Sequence, residues 1–165
     1  MIEMSDKIEQ KQPSETEVAN RSGVIYRLNL EENKEEIEIQ YLVVREVAGP
    51  RYWGFPKGLQ ERKEDGQLET PSETAEREVR EEIGIEISQA ELNAAPTITA
   101  FPGKKPSDRK YTFFLIDVAK CFECYPNALE ISEYRWVTLK EFFKLPKASF
   151  TKQALKELAN KAQTI

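Results

Sequence analysis

Residues 77–84 read Arg77-Glu78-Val79-Arg80-Glu81-Glu82-Ile83-Gly84, and the fold turns on how this stretch is read. In a helix, Glu78, Glu81 and Glu82 stand at i, i+3 and i+4, so the three carboxylates share one face. Like charges at that spacing repel and weaken the helix slightly. A divalent cation held by two or three of them would explain the arrangement. The alternative is a solvated charged face on which Arg77 and Arg80 neutralise the acids. Two features count for the cation. The acids lie on the turn before a glycine stop, in a helix that also carries a core stripe. They also follow a loop that could bring backbone groups close.

The surroundings of this stretch define its helix. Thr70-Pro71-Ser72-Glu73 supplies an N-cap, a proline in the first helical position and a capping-box acid. The helix is therefore expected over 70–83, with Gly84 ending it. Ala75, Val79 and Ile83 repeat every four residues and form a narrow core-facing stripe.

Upstream, residues 60–69 are polar and contain Asp65-Gly66, which predicts a surface loop. Residues 51–59, Arg-Tyr-Trp-Gly-Phe-Pro-Lys-Gly-Leu, read as a loop rich in glycine, proline and aromatics. Gly49-Pro50 ends a strand in which Ile37, Ile39, Tyr41 and Val43 alternate with polar residues. Its continuously apolar run Tyr41-Leu42-Val43-Val44 points to a buried sheet. Residues 23–30 read as a further strand and 31–36 as a polar turn. Residues 1–20 are polar and aperiodic and read as a mobile tail ahead of one domain at 21–165.

Downstream, strands are expected at 85–87, 97–101, 111–118 and 134–137. The loop 102–110 carries Lys104, Lys105, Arg109 and Lys110. Thr138 and Glu141 form a second capping box, opening a helix to about Leu145. A last amphipathic helix is expected over 151–162, with Ala154, Leu155 and Leu158 on one side. Strands around an internal helix, followed by helices, make a mixed α/β plan.

Composition narrows the chemistry. The 165 residues contain 29 acids, 24 bases and no histidine, for a net charge of −5. Without histidine, Ser-His-Asp and Cys-His catalysis, histidine proton shuttles and histidine metal sites are excluded. Carboxylates and an oxygen-ligated hard cation, magnesium or manganese, remain the first suspects. The acidic balance argues against a stable nucleic-acid partner. No apolar run approaches the ~20 residues that cross a bilayer. Glu3, Asp6 and Glu9 are wrong for a signal peptide, so a cytoplasmic location without membrane association is expected. Cys121-Phe122-Glu123-Cys124 lacks further zinc ligands and a thioredoxin-like context, and reads as two free thiols.

Around the carboxylates the sequence resembles the Nudix hydrolases, whose signature is G-x(5)-E-x(7)-R-E-u-x-E-E-x-G-u with u bulky and apolar. Glu69, then Arg77, Glu78, Val79, Glu81, Glu82, Gly84 and Ile85, match its second half at every fixed position. In the first half, ten residues separate Gly58 from Glu69 where the signature has five, which reads as a loop insertion around 62–66. The resemblance spans about 21–160 and implies an α/β/α sandwich with a mixed sheet. It implies metal ligation by Glu78, Glu81, Glu82 and the Gly58 carbonyl. It also implies an Arg77 that orients the glutamates and a Glu78 that helps activate water.

Trp53-Gly54-Phe55-Pro56-Lys57-Gly58 is similar to the diadenosine tetraphosphate hydrolase branch. So are the basic residues before the 111–118 strand, Glu130 in E-x(3)-Y-R-W, and the C-terminal helix. That similarity implies a metal-binding or catalytic Glu130. It implies phosphate contacts from Lys57, Lys104, Lys105, Arg109 and Lys110, and base stacking on Tyr134. The alternatives are solvated lysines at a hairpin tip and core packing for Tyr134 and Trp136. That branch usually carries histidine after Pro-Lys-Gly, and Leu59 stands there instead. The expected function is divalent-metal-dependent cleavage of an asymmetrically cut dinucleoside tetraphosphate to ATP and AMP by a monomer. The alternatives are an RNA 5′-pyrophosphohydrolase or enzyme of another diphosphate-linked nucleotide, a nucleotide-binding Nudix module without turnover, and an acidic interaction domain.

Overall fold

A computed structural model describes residues 20–30, 38–101 and 109–163. The proposed tail at 1–20 therefore lies outside the described residues except for Asn20, as do the polar turn at 31–36, Lys104 and Lys105. Among the described residues seven strands form one sheet: β1 (Arg21–Leu30), β2 (Glu38–Glu46), β3 (Trp53–Gly54), β4 (Lys57–Leu59), β5 (Thr97–Ala100), β6 (Tyr111–Val118) and β7 (Ile131–Val137). The helices are α1 (Pro71–Ile83), α2 (Gln89–Ala94), α3 (Leu139–Phe143) and α4 (Ser149–Gln163).

The sheet runs β3-β2-β1-β6-β5, with β4 beside β1 and β7 beside β2. Among the described residues only β1 and β6 pair in parallel, so the sheet is mixed. Alternation along β1 and β2 builds two cores, because successive side chains point to opposite faces. Val24, Tyr26, Leu42 and Val44 meet Ala75, Val79 and Ile83 of α1 on one face. Ile25, Tyr41 and Val43 meet Phe142, Ala154, Leu155 and Leu158 of α3 and α4 on the other. Helices on both faces make this an α/β/α sandwich, and they explain why residues 41–44 are apolar throughout.

Helix α1 has the expected bounds. Thr70 Oγ1 accepts from the Glu73 N–H, Glu73 caps Thr70 in return, and Gly84 closes the helix at φ 69°. Several expectations are corrected. Residues 51–59 are not all loop, because Trp53–Gly54 and Lys57–Leu59 pair with β2 and β1. No strand forms at 85–87: Ile85 and Ile87 alternate around Glu86 but pack as irregular chain against the α1 core. The short helix α2, capped by Ser88, follows directly. Strand β7 begins three residues before 134, and α4 two residues before 151. Among the described residues, no helix is long and apolar enough to cross a membrane.

Candidate active site

The site forms where α1 meets β4. Gly58 is required there by close approach, since a Cβ at that position would run into the carboxylate of Glu78. The neighbouring Lys57 N–H donates to Glu82 Oε1 at 3.0 Å. Two carboxylates of one helix thus lie against the backbone of a single short strand.

Arg77 binds this helix to the loop. Its Nε and Nη2 donate to the two oxygens of Glu69 at 2.8 and 2.9 Å. Its Nη1 donates to Glu78 Oε1 at 2.8 Å and to Glu81 Oε2 at 3.1 Å, and its Nη2 reaches the Leu59 carbonyl at 2.8 Å. Burial alone would lower the guanidinium pKa, but Glu69 and Glu78 outweigh it and raise it. Glu69 is buried, and Thr74 Oγ1 and the Glu61 N–H also donate to it. Burial would raise its pKa, yet Arg77 and these donors hold the carboxyl below the usual range.

Glu78 and Glu82 behave in the opposite sense. Burial, partly opposed by Arg77 and reinforced by Glu81 and Glu130, pushes Glu78 up to about 7. Burial, opposed by Lys57 and reinforced by Glu78 and Glu130, pushes Glu82 up to about 8. Glu81 lies at the edge of the face that this pair occupies. At ~100° per residue, Glu82 lies ~40° to one side of Glu78 and Glu81 ~60° to the other. The Glu81 side chain is accordingly 50 % exposed at the rim, turned to Arg77. Glu130 is exposed on a turn tied to the end of α1, where the Asn127 N–H donates to the Glu82 carbonyl at 2.9 Å. Among the described residues, no three carboxylate or thiol side chains form a ready-made metal cage.

The other candidate residues are spread over both faces of the sheet. Lys57 is buried, and its Nζ donates to Glu46 Oε1 at 2.8 Å beneath the ring of Phe150. Lys110 borders a groove with Thr70, Ser72, Gln89 and Thr112 at the start of α1, on the other face. Arg109 is half-buried, and its Nε has no hydrogen-bond partner among the described residues. Tyr134 stands opposite Val44 and packs half-buried against the α1 core, with Trp136 nearby in the same core. Cys121 is an exposed free thiol and Cys124 a buried one. Glu69, Glu61 and Thr74 are the functional neighbours that the sequence reading left out. Glu69 carried a signal, its fixed place in the signature. Glu61 and Thr74 carried none.

Comparison with known proteins fits this geometry. Over 94 residues the chain is 32 % identical to the Mycobacterium tuberculosis protein named "Putative 8-oxo-dGTP diphosphatase 3". That match covers 57 % of this chain and 41 % of the relative, so the chain spans about two fifths of the length of the curated relatives it matches. A crystal structure of a C. elegans Ap4A hydrolase binary complex superposes with a TM-score of 0.67 at 18 % identity, covering 90 % of this chain and all of that one. The NUDIX domain of Shewanella oneidensis NrtR, complexed with ADP ribose, gives a TM-score of 0.60 at 15 % identity, covering 98 % and 99 %. At these identities the solved structures attest the fold. The family description "NUDIX domain" matches residues 22–158, a span that takes in both cores, Arg77 and all four candidate glutamates, and so the chain belongs to the Nudix hydrolase family.

Proposed function

We propose that the protein hydrolyses nucleoside polyphosphates with a divalent cation, and that its substrate is a dinucleoside tetraphosphate cut to ATP and AMP. The observation that carries this reading is the pair Glu82, buried beneath the Lys57 N–H, and Glu78, largely buried against Gly58 and clamped by Arg77, in a chain with no histidine. The donors are all oxygens, and the mutual repulsion of the carboxylates is what a hard cation would offset, so the residues suit magnesium or manganese. Glu78, Glu82, Glu81, Glu130 and the Gly58 carbonyl would hold it. When bound, the ion supplies charge neutralisation on the polyphosphate.

The chain's own residues account for the remaining steps. Arg77 fixes the orientation of Glu78. Glu78 takes a proton from the attacking water as its oxygen bonds to phosphorus. The bridging oxygen leaves with the ATP half. Arg109 and Lys110, with Lys104 and Lys105, offset phosphate charge. The protein acts as a monomer.

The test is a nucleotide panel with magnesium, its products separated by chromatography. The panel contains diadenosine tetraphosphate, 8-oxo-dGTP, ADP-ribose and RNA bearing a 5′-triphosphate. The expected result is ATP and AMP from the tetraphosphate, falling to background in Glu82→Gln. Intact tetraphosphate beside cleaved RNA ends would replace the substrate. Nucleotide binding with no cleavage of any member would replace the enzyme with a binding module.

A further inference from the structure

We infer that the base of the nucleotide enters a small aromatic pocket on the α4 face of the sheet, and that Glu46 reads its amino edge. The inference rests on the hydrolase reading above and assigns a base site different from Tyr134. Arg21, Glu46, Trp53, Lys57, Tyr111 and Phe150 line a cavity of about 160 Å3. At ~30 Å3 per water this is room for about five waters, the scale of one planar heterocycle. It is well below the ~300 Å3 at which pockets enclose whole drug-sized ligands.

The walls are preformed. Trp53 and Tyr111 are buried, and Tyr111 stacks on Phe150 with ring centres 4.0 Å apart and planes 8° from parallel. A few polar groups converge inside these apolar walls, the usual composition of a specific ligand site. Lys57 Nζ and Glu46 Oε1 are 2.8 Å apart, and the Glu46 side chain is 42 % exposed, which leaves its carboxylate open to a second donor. Arg21 Nε is buried and has no hydrogen-bond partner among the described residues. The Arg21 guanidinium lines the cavity and brings a second positive group to the same side-chain cluster as Lys57. A carboxylate beside an ammonium and a guanidinium matches an amino group beside ring or carbonyl acceptors, the edge of an aminated base.

Lys57 also connects this pocket to the chemistry. Its backbone N–H holds Glu82 while its side chain holds Glu46. Tyr134 faces the opposite core, against α1, and shares no residue with the pocket.

The test uses the full chain in metal-free buffer, where hydrolysis does not interfere. Calorimetric titration compares AMP with purine riboside 5′-monophosphate, which differs only in lacking the amino group. AMP is expected to bind about tenfold more tightly, the factor of one charge-assisted hydrogen bond of modest net strength. Glu46→Ala is expected to bring the two within about twofold, and Phe150→Ala to weaken both about tenfold. Tyr134→Ala is expected to leave both unchanged. Thermal melts establish that each variant is folded, and Glu46→Gln, which keeps an oxygen acceptor for the buried Lys57 ammonium, is expected to narrow the same difference if Glu46→Ala does not fold. Equal affinities in the unmodified protein overturn the proposal. So does AMP binding that is lost in Tyr134→Ala and kept in Glu46→Ala and Phe150→Ala. AMP failing to bind while magnesium-dependent tetraphosphate cleavage persists overturns the pocket alone. AMP bound with the expected pattern while no nucleotide is cleaved overturns the hydrolase reading and leaves the pocket.

Discussion

Arg77 gathers the Glu69 carboxylate, Glu78, Glu81 and the Leu59 carbonyl around one guanidinium. Lysine cannot replace it, because an ammonium is a point donor without the planar fork that meets Glu69 in two places. Arg77→Lys is expected to weaken magnesium affinity ~10–100-fold, the range seen when groups supporting a metal's ligands are lost. Metal titration of the folded variant checks this, and unchanged affinity would remove Arg77 from the site. Gly58→Ala attacks the same geometry from the loop, since the added methyl occupies the place of the Glu78 carboxylate. Overpacking of this kind costs ~1–3 kcal/mol, and with Glu78 displaced, hydrolysis is expected to fall more than stability does. Denaturant unfolding and initial rates measured on one preparation separate the two losses. Most of this cluster is legible in the sequence, because a helix turns i, i+3 and i+4 spacing into adjacency. What spacing alone does not reveal is that Glu82 is buried and Glu78 largely so, while Glu81 stays at the rim. That difference depends on which side of α1 the loop covers.

Helix α1 bears the carboxylates and also covers the sheet, and local chemistry at each end delimits it. Thr70, Pro71, Glu73 and Gly84 each satisfy or remove an otherwise orphaned backbone group. Thr70→Ala is expected to cost about 1 kcal/mol, a fall of roughly 2–4 °C in melting temperature for a domain of this size. The carboxylates lie about two to three turns from the cap, so magnesium affinity should hold. A melt with and without magnesium checks both parts, and a variant that loses affinity as well would show that the cap transmits strain to the site. Helices with such signals, α1 and α3, read correctly from the sequence, and so do strands with a strong apolar pattern, β1, β2, β5 and β6. Short segments that have neither do not. Ile85-Glu86-Ile87 alternates like a strand, but it serves as a linker that presses two isoleucines onto the core. β3 and β4 are pairs and triplets of residues made strand-like only by their partners on β2 and β1. The aromatic pocket is the extreme case: Arg21, Glu46, Lys57, Tyr111 and Phe150 are scattered along the chain and meet only through sheet topology.

Across the whole molecule, the burial of two ionisable carboxylates couples stability to pH and to metal. Glu78 and Glu82 have folded pKa values of about 7 and about 8, against an ordinary value of 4.5. The native state therefore binds more protons than the unfolded state between about pH 4.5 and 8. Stability of the metal-free protein must then rise as pH falls through that window, and the gain is complete below the unfolded value. Above pH 8 both carboxylates are ionised in either state, and the cost of burying their charge is fully expressed. Glu69 has the opposite sign, since its carboxyl is held below the ordinary value. Its contribution is present above the unfolded pKa and is lost as pH falls through the folded one. The expected profile for the metal-free protein is thus an optimum on the acid side of neutrality, with a decline toward pH 8. A cation binds the ionised carboxylates, so saturating magnesium should stabilise the protein most at pH 8 and least at pH 5.5. Denaturant unfolding at both pH values, in EDTA and in magnesium, measures this directly. Equal stabilisation at the two values would mean that magnesium does not meet Glu78 and Glu82. Greater stability at pH 8 than at pH 5.5 in EDTA would mean that the two carboxylates are not buried as the geometry places them.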